Sequence, residues 1–290
     1  MNKISLTLAA LIFLCPGYLH ANPLAFAENG AGARGISMGR AMISSVDDVS
    51  GIYWNPAGLT FMGRPQLLVS GFLPFSGTVG GISKNDLVTG FPLGTRASAG
   101  IGIIYESVKG IPRWTDKGEK SGEISTGEYL SMLAFGWRFN DRIRAGVTYK
   151  FIYKDYSVLE QKGHTLDAGI ILIVSPLIRM GLSIVNAVPL KLNTASGSDE
   201  EYGSEFRAGL SVNPARMLTM SGAVSAGPDG RLKITAGALF KVSGSLSLTA
   251  GYMKDGGEIT LGARFKFLEL CTVYHPVLGL TNGASLNILF

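Results

Sequence analysis

Cysteine is nearly absent: the 290-residue chain has two, Cys15 and Cys271. Cys15 lies in a leader-like start, so a processed chain keeps one thiol and no intramolecular disulfide is available. Histidine is as scarce. Outside the leader only His164 and His275 occur, far apart in sequence. One Cys and two scattered His give no metal-ligand spacing, and no Ser/His/acid set is readable, since a catalytic base must reach its nucleophile. The reading is therefore of a protein without metal or cofactor that is not an enzyme. Charge is also thin, 16% of residues with a net +5 spread along the chain, which excludes nucleic acid as a partner. Beyond the leader no run of 18 or more apolar residues occurs, so no membrane helix is expected.

What is present is apolar and flexible: 46% hydrophobic residues and 39 Gly, more than an ordinary secreted enzyme carries. The start reads as an export signal, with Lys3, an apolar run over 4–14 and a cleavage site after Leu19-His20-Ala21; 24–27 offers a second site. The expected division is a signal peptide over 1–21, an N-terminal segment over 22–64 and a β-rich body over 65–290.

The body alternates. In Ser245–Tyr252, Leu246, Leu248, Ala250 and Tyr252 oppose Ser245, Ser247 and Thr249; in Glu258–Phe267, Ile259, Leu261, Ala263 and Phe265 oppose Glu258, Thr260, Arg264 and Lys266. Repeated segments of about ten such residues are the mark of a membrane barrel. Fourteen strands are read, at 66–73, 78–92, 95–109, 124–139, 141–156, 164–174, 177–187, 202–212, 215–226, 231–242, 245–254, 258–266, 268–278 and 282–290. Connections after even-numbered strands are tight, such as Asn140-Asp141 and Ser175-Pro176. Those after odd-numbered strands include the long ones, 110–123 and 188–201. Outer-membrane barrels sort short periplasmic turns from long outer loops in this way, and a soluble sandwich has no reason to. The last strand ends on Leu286, Ile288 and Phe290 on one face, an aromatic ending similar to that of bacterial outer-membrane barrels. The fold class is thus all-β, a transmembrane antiparallel barrel of about 14 strands in the bacterial outer membrane, reached after Sec-type signal cleavage.

The expected inner face is basic, with Arg142, Arg144, Lys150, Arg207 and Arg264 among its cations and only Glu106, Asp167 and Glu258 as acids. Several glycines also fall inward, among them Gly146, Gly169, Gly209, Gly237 and Gly262. Glycine inside a strand marks close approach by other backbone. The segment over 32–59 is available to make that approach. It has no strand alternation and is rich in small residues, so it is expected in the lumen as a hatch. Two short chemical motifs lie in it. Gly30-x-Gly32-x-x-Gly35 lacks the strand before and the βαβ unit around it that a dinucleotide site needs. Gly35-x-Ser37-x-Gly39 lacks the α/β sheet of a nucleophile elbow. Small residues for close packing are the better reading of both. Asp47 or Asp48 is expected to meet an inward Arg or Lys. Asn55-Pro56 is expected to turn the chain out toward the first strand, with Tyr53 and Trp54 packed where hatch meets wall.

Ala33-Arg34-Gly35-x-x-Met38-Gly39, then Asp47-Asp48, then Tyr53-Trp54-Asn55-Pro56-Ala57-Gly58-Leu59 together resemble the FadL-like outer-membrane proteins, and most of all their PorV/PorQ branch. The resemblance covers about 30 residues densely. It implies a fourteen-stranded barrel with a hatch in which Arg34, Ser37, Met38, Asp47, Asp48, Tyr53, Trp54, Asn55, Pro56 and Ala57 take part. The chain is shorter than the family's fatty-acid transporters and lacks their long outer insertions. Two functions follow from the resemblance. One is passive transport of a small hydrophobic or amphipathic molecule; the other is a partner-binding barrel in protein export of the type IX kind or in envelope assembly. The implied partners are outer-membrane lipid and a hydrophobic small molecule or an exported protein.

Overall fold

The computed structural model describes residues 30–76, 81–157, 159–194 and 200–290. The expected signal peptide lies outside them. Two short helices, α1 (Ala33–Ser37) and α2 (Gly51–Trp54), and a 3-10 helix (Pro56–Phe61) precede the first strand. The strands are β1 (Gln66–Ser76), β2 (Ile82–Leu93), β3 (Ala97–Trp114), β4 (Lys120–Arg138), β5 (Ile143–Asp155), β6 (Glu160–Ser175), β7 (Ile178–Val185), β8 (Leu190–Thr194), β9 (Glu200–Tyr202), β10 (Glu205–Ala215), β11 (Leu218–Ala226), β12 (Leu232–Lys241), β13 (Leu246–Met253), β14 (Glu258–Phe265), β15 (Leu268–His275) and β16 (Gly279–Leu289).

All but β8 and β9 form one closed antiparallel ring of fourteen strands. Each pairs with its neighbour in sequence, β7 pairs with β10, and β16 closes on β1. Closure gives the strand backbone its hydrogen bonds within the ring, as hydrocarbon requires. Met220, Leu248, Leu261 and Phe265 face outward and are exposed, with Leu218 and Leu246 half-buried in the same rows. Tyr105, Tyr129 and Tyr153 sit side by side across β3, β4 and β5 and stack with centroids 4.5 and 5.9 Å apart.

The long connections differ from expectation. Most of 110–123 is strand. β3 and β4 run on to a turn at 115–119, and their 18 and 19 residues contrast with the 8 of β13, β14 and β15. At ~3.3 Å per residue the longer pair stands well clear of a ~25 Å apolar band. Within 188–201 the chain forms the hairpin β8–β9, whose Asn193 and Thr194 join the upper edge of β6. Leu190, Leu192 and Tyr202 of this hairpin are buried. They sit above an inward apolar row of Ile104, Leu130 and Ile152, which are directly paired across β3, β4 and β5. The outer half of the lumen on this side is therefore packed like a core.

Below that row the N-terminal segment touches the wall backbone to backbone. A Cβ at Gly169 would lie 2.1 Å from Asn55 Oδ1, one at Gly146 2.5 Å from Pro56 C, one at Gly181 2.2 Å from Ile43 O, one at Gly237 2.2 Å from Met38 O and one at Gly251 2.2 Å from Gly39 N. These glycines form a belt. Gly136, Gly146 and Gly169 pair directly across three strands, as do Gly181 with Gly209 and Gly237 with Gly251.

A side chain in the belt should expel the segment or distort the wall. Gly169→Val and Gly146→Val are expected to cost about 1–3 kcal/mol each through overpacking and to lower the fraction of heat-modifiable folded protein. Gly222→Ala is the matched control: its new methyl would face outward, 3.8 Å from Thr235 O, and should leave thermal unfolding unchanged.

Candidate functional site

The hatch is shaped by residues too small to keep its parts apart. Gly32 starts α1 at φ 78°, and Gly39 and Arg40 at φ 61° and 62° turn the chain where it meets β12 and β13. The Trp54 indole lies flat against Gly30 and Gly35, where a Cβ would come within 2.2 and 2.4 Å of the ring. Its Nε1 donates to Ala31 O at 3.0 Å. Trp54 thus packs within the hatch. Tyr53 meets it edge-on at 5.0 Å and faces the wall at Lys150, 5.4 Å from the ring.

Asn55 is the hub. Its Nδ2 donates to Ile43 O at 2.8 Å and reaches Ile170 O and Leu182 O at 3.3 and 3.4 Å, while its Oδ1 accepts from Ala57 N at 3.2 Å. One buried amide ties two parts of the hatch to β6 and β7. Pro56 follows at the first turn of the 3-10 helix, where a missing N–H is harmless. The turn at Asn55-Pro56 stays inside the lumen, and the chain leaves it only after Met62.

Asp47 and Asp48 meet Arg34 of the hatch itself, at 2.7 and 2.9 Å, rather than an inward cation of the wall. Asp48 also accepts from Ser50 N at 2.9 Å and Ser50 Oγ at 2.5 Å. Desolvation in the lumen would raise the Asp47 carboxyl. The Arg34 charge outweighs it and, helped by Arg179 and Lys241, holds Asp47 below the usual carboxylate range. The wall joins this latch through Glu269, whose Oε2 accepts from Arg34 N at 3.3 Å. A hatch–wall ion pair likewise puts the cation on the hatch and the acid on the wall: Arg40 binds Glu258 on β14 at 3.2 Å. Ser37 accepts from Thr249 Oγ1 at 2.7 Å, and its carbonyl accepts from Thr260. Met38 is buried, with its carbonyl against Gly237.

Several inward cations are matched by acids, more of them than the alternation pattern counted. Lys150 pairs with Asp167, Arg207 with Glu205 at 2.9 Å, and Arg264 approaches Glu269 at 3.8 Å. Lys84 and Asp86, wholly buried, bind each other at 2.5 Å and hold the hatch's start through Gly30 O and Gly32 N. The signal for two of these pairs is in the sequence: Lys84-x-Asp86 and Glu205-x-Arg207 place opposite charges on one face of a strand. Arg144 donates to Thr60 O at 2.7 Å and covers the Phe61 ring at 3.6 Å, opposite Arg179 at 4.3 Å. Arg142 does not line the lumen. Asn140 Oδ1 accepts from Arg142 N and Ile143 N at 2.8 and 2.9 Å, which keeps Arg142 in the exposed turn and starts β5 at Ile143.

Above the hatch, on the side of β10–β14, a cavity of about 170 Å³ lies between Ile43, Tyr53 and Trp54 and the wall at Arg207, Lys233 and Met253. Below it, at the short-turn end, further cavities open around Asp47. The hatch separates the two levels.

Arg34→Gln should loosen the hatch while sparing the ring. Breaking a fully buried ion pair costs about 3–5 kcal/mol; Asp47 is half-exposed, so that range is an upper bound, and Asp47→Asn alone should cost under about 1 kcal/mol. Hydrogen exchange should speed up over 33–54 in Arg34→Gln and stay unchanged in β3–β5. Because the Asp47 carboxyl is lowered in the folded state, its contribution is fully present above about pH 3.9 and is lost as pH falls through the lowered value.

No protein-family model matches the sequence, and no curated protein matches it. Solved structures do. The Pseudomonas putida toluene transporter TodX aligns over 90% of this chain and 99% of its own at 11% identity, with a TM-score of 0.70. The monoaromatic hydrocarbon channel CymD aligns over 90% and 98% at 11% identity and 0.67. The Ralstonia pickettii toluene transporter TbuX aligns over 91% and 98% at 12% identity and 0.65, and a Pseudomonas aeruginosa FadL homologue over 89% and 95% at 12% and 0.54. At such identity the likeness is one of fold. With short helices ahead of a closed fourteen-stranded ring, this chain has the fold of the FadL/TodX-like outer-membrane barrels.

Proposed function

We propose that the protein passes a small hydrophobic or amphipathic molecule across the outer membrane, with the hatch as its gate. The observation that carries this reading is the cavity of about 170 Å³ above the hatch. Ile43, Tyr53, Trp54 and Met253 give it apolar surface, while Arg207, Lys233 and Glu258 give it charge, so it suits a molecule with both kinds of surface. A molecule lodged there touches Tyr53 and Trp54 directly, and those residues adjoin Asn55, the hub of the hatch. The fold's neighbours, named as toluene transporters and monoaromatic hydrocarbon channels, support an apolar cargo.

The filled lumen favours a second reading. On the β2–β6 side Ile104, Leu130, Ile152, Leu190 and Leu192 are buried, as a barrel that binds a partner rather than conducts would allow. The PorV/PorQ-like motif over 33–59 supports the same reading, a role in protein export or envelope assembly.

Proteoliposomes separate the two. The transport reading expects wild-type protein to admit hexanoate several-fold faster than empty liposomes while excluding glucose. Deletion of 32–58 should then admit glucose as well, and Arg34→Gln serves if that deletion does not fold. Wild-type flux no greater than that of empty liposomes would discard transport. A deletion that lowers capture of an exported protein without changing permeability would put the export reading in its place.

A further inference from the structure

A cavity larger than the one above the hatch lies beneath it. It has about 520 Å³, opens at the short-turn end and lies against the underside of the hatch at Ser45 and Asp47. In outer-membrane barrels that end faces the periplasm. Three cations line it: Arg179 from β7, Arg216 from the turn after β10 and Lys241 from the end of β12. Among the described residues none of the three has a carboxylate within ion-pair distance, whereas Lys84, Lys150, Arg207 and Arg40 elsewhere in the lumen each have one. The single acid lining this cavity, Asp47, is held by Arg34. Like charges gathered around one carboxylate that is already paired repel one another, so the set has room for a further anion.

A second observation points the same way. Ser211 lines the cavity with 1% of its surface exposed, and its hydroxyl has no hydrogen-bond partner among the described residues. A buried hydroxyl without a partner is costly, and beside three cations the group that satisfies it is an acceptor with negative charge. An adjoining cavity of about 240 Å³ shares Lys241 and Asp47, and the partly buried Leu239 in its lining gives an apolar tail a contact beside the charged head.

We infer that this periplasmic vestibule is an anion site for the carboxylate or phosphate head of an amphipathic molecule, bound by Arg179, Arg216, Lys241 and Ser211. It deepens the transport reading and rests on it for the identification of the anion as cargo leaving the barrel. The same head chemistry is carried by phospholipids of the inner leaflet. An anion here also competes for charges that act on Asp47, leaving that carboxylate to Arg34 alone, so occupancy of the vestibule bears on the hatch latch.

The test is equilibrium dialysis of the purified full-length protein in detergent against hexanoate, hexanol and inorganic phosphate. Hexanoate should bind at least roughly tenfold more tightly than hexanol, and phosphate should compete with it, because the charged head makes the contacts. Arg216→Gln and Lys241→Gln, both at exposed positions that folding does not need, should together weaken hexanoate roughly tenfold or more, and Ser211→Ala about threefold. Arg231→Gln, in an exposed turn at the opposite end, should leave binding unchanged. Nanodiscs then distinguish the sources. Loss of hexanoate binding in phosphatidylglycerol but not phosphatidylcholine assigns the site to a lipid head; equal binding in both assigns it to soluble cargo. Equal affinity for hexanoate and hexanol, no binding of hexanoate, or wild-type affinity in the double variant would each overturn the site. Binding retained without flux in proteoliposomes would leave the site standing and remove the transport reading alone.

Discussion

The structure depends on backbone meeting backbone across the lumen. A hatch of some thirty residues fits inside a fourteen-stranded ring only if the two come closer than side chains allow. The belt of glycines running from Gly136 through Gly146 and Gly169 to Gly251 makes that approach. Ile43, Met38 and Pro56 press their main chain onto it. Where the belt ends, hydroxyls take over: Thr148, Thr249 and Thr260 reach hatch groups at 2.7–2.9 Å. Glycine normally weakens a strand. Here the missing side chains are replaced by hatch atoms, and the wall is packed from within by another part of the same chain.

The second constraint is electrical. A lumen filled by the hatch offers the charges buried beside it little water, and a lone charge there is costly. The molecule answers with short pairs, several formed within one strand or within the hatch. Lys84 with Asp86 and Glu205 with Arg207 stand two residues apart on a single face. Such pairs do not depend on the ring keeping its shape, so the hatch can shift against the wall without stranding them. Arg34 is placed differently, since it joins two hatch acids and approaches Glu269 of the wall. It is the point where a change in the hatch would be felt by the barrel.

The ring was legible in the sequence because membrane strands must alternate and must be joined by turns of sorted length. The same reasoning fails where strands leave the hydrocarbon. Over 110–123 both faces of the β3–β4 hairpin are wet, so nothing forces alternation, and the stretch reads as loop. It fails again over 82–86, where Lys84 and Asp86 sit in the lumen as a neutral pair while the pattern counts them only as polar. The inward glycines pointed to a packed segment, but not to which residue met which. Arg34 and Asp47 are 13 residues apart, and their meeting depends on how the hatch folds back on itself. No local spacing encodes that. Arg142 shows the limit from the other side: one Asn140 side chain capping a turn moves a strand start by a residue or two and takes a cation out of the lumen.

The belt also bears on how the molecule comes to exist. A hatch whose main chain lies against belt glycines from β4 to β13 would have to pass the buried row of Ile104, Leu130 and Ile152 to enter a closed ring from its outer end. Closing the seam between β1 and β16 around a hatch already in place avoids that passage. The hatch leads the chain, so it is available before any strand arrives. Each hairpin that adds to the growing sheet finds its glycine row facing a surface to wrap around, and the last pairing, Gln66 with Leu289, locks in what the first residues began. In that sense the hatch is a mandrel: the wall closes around the object it encloses.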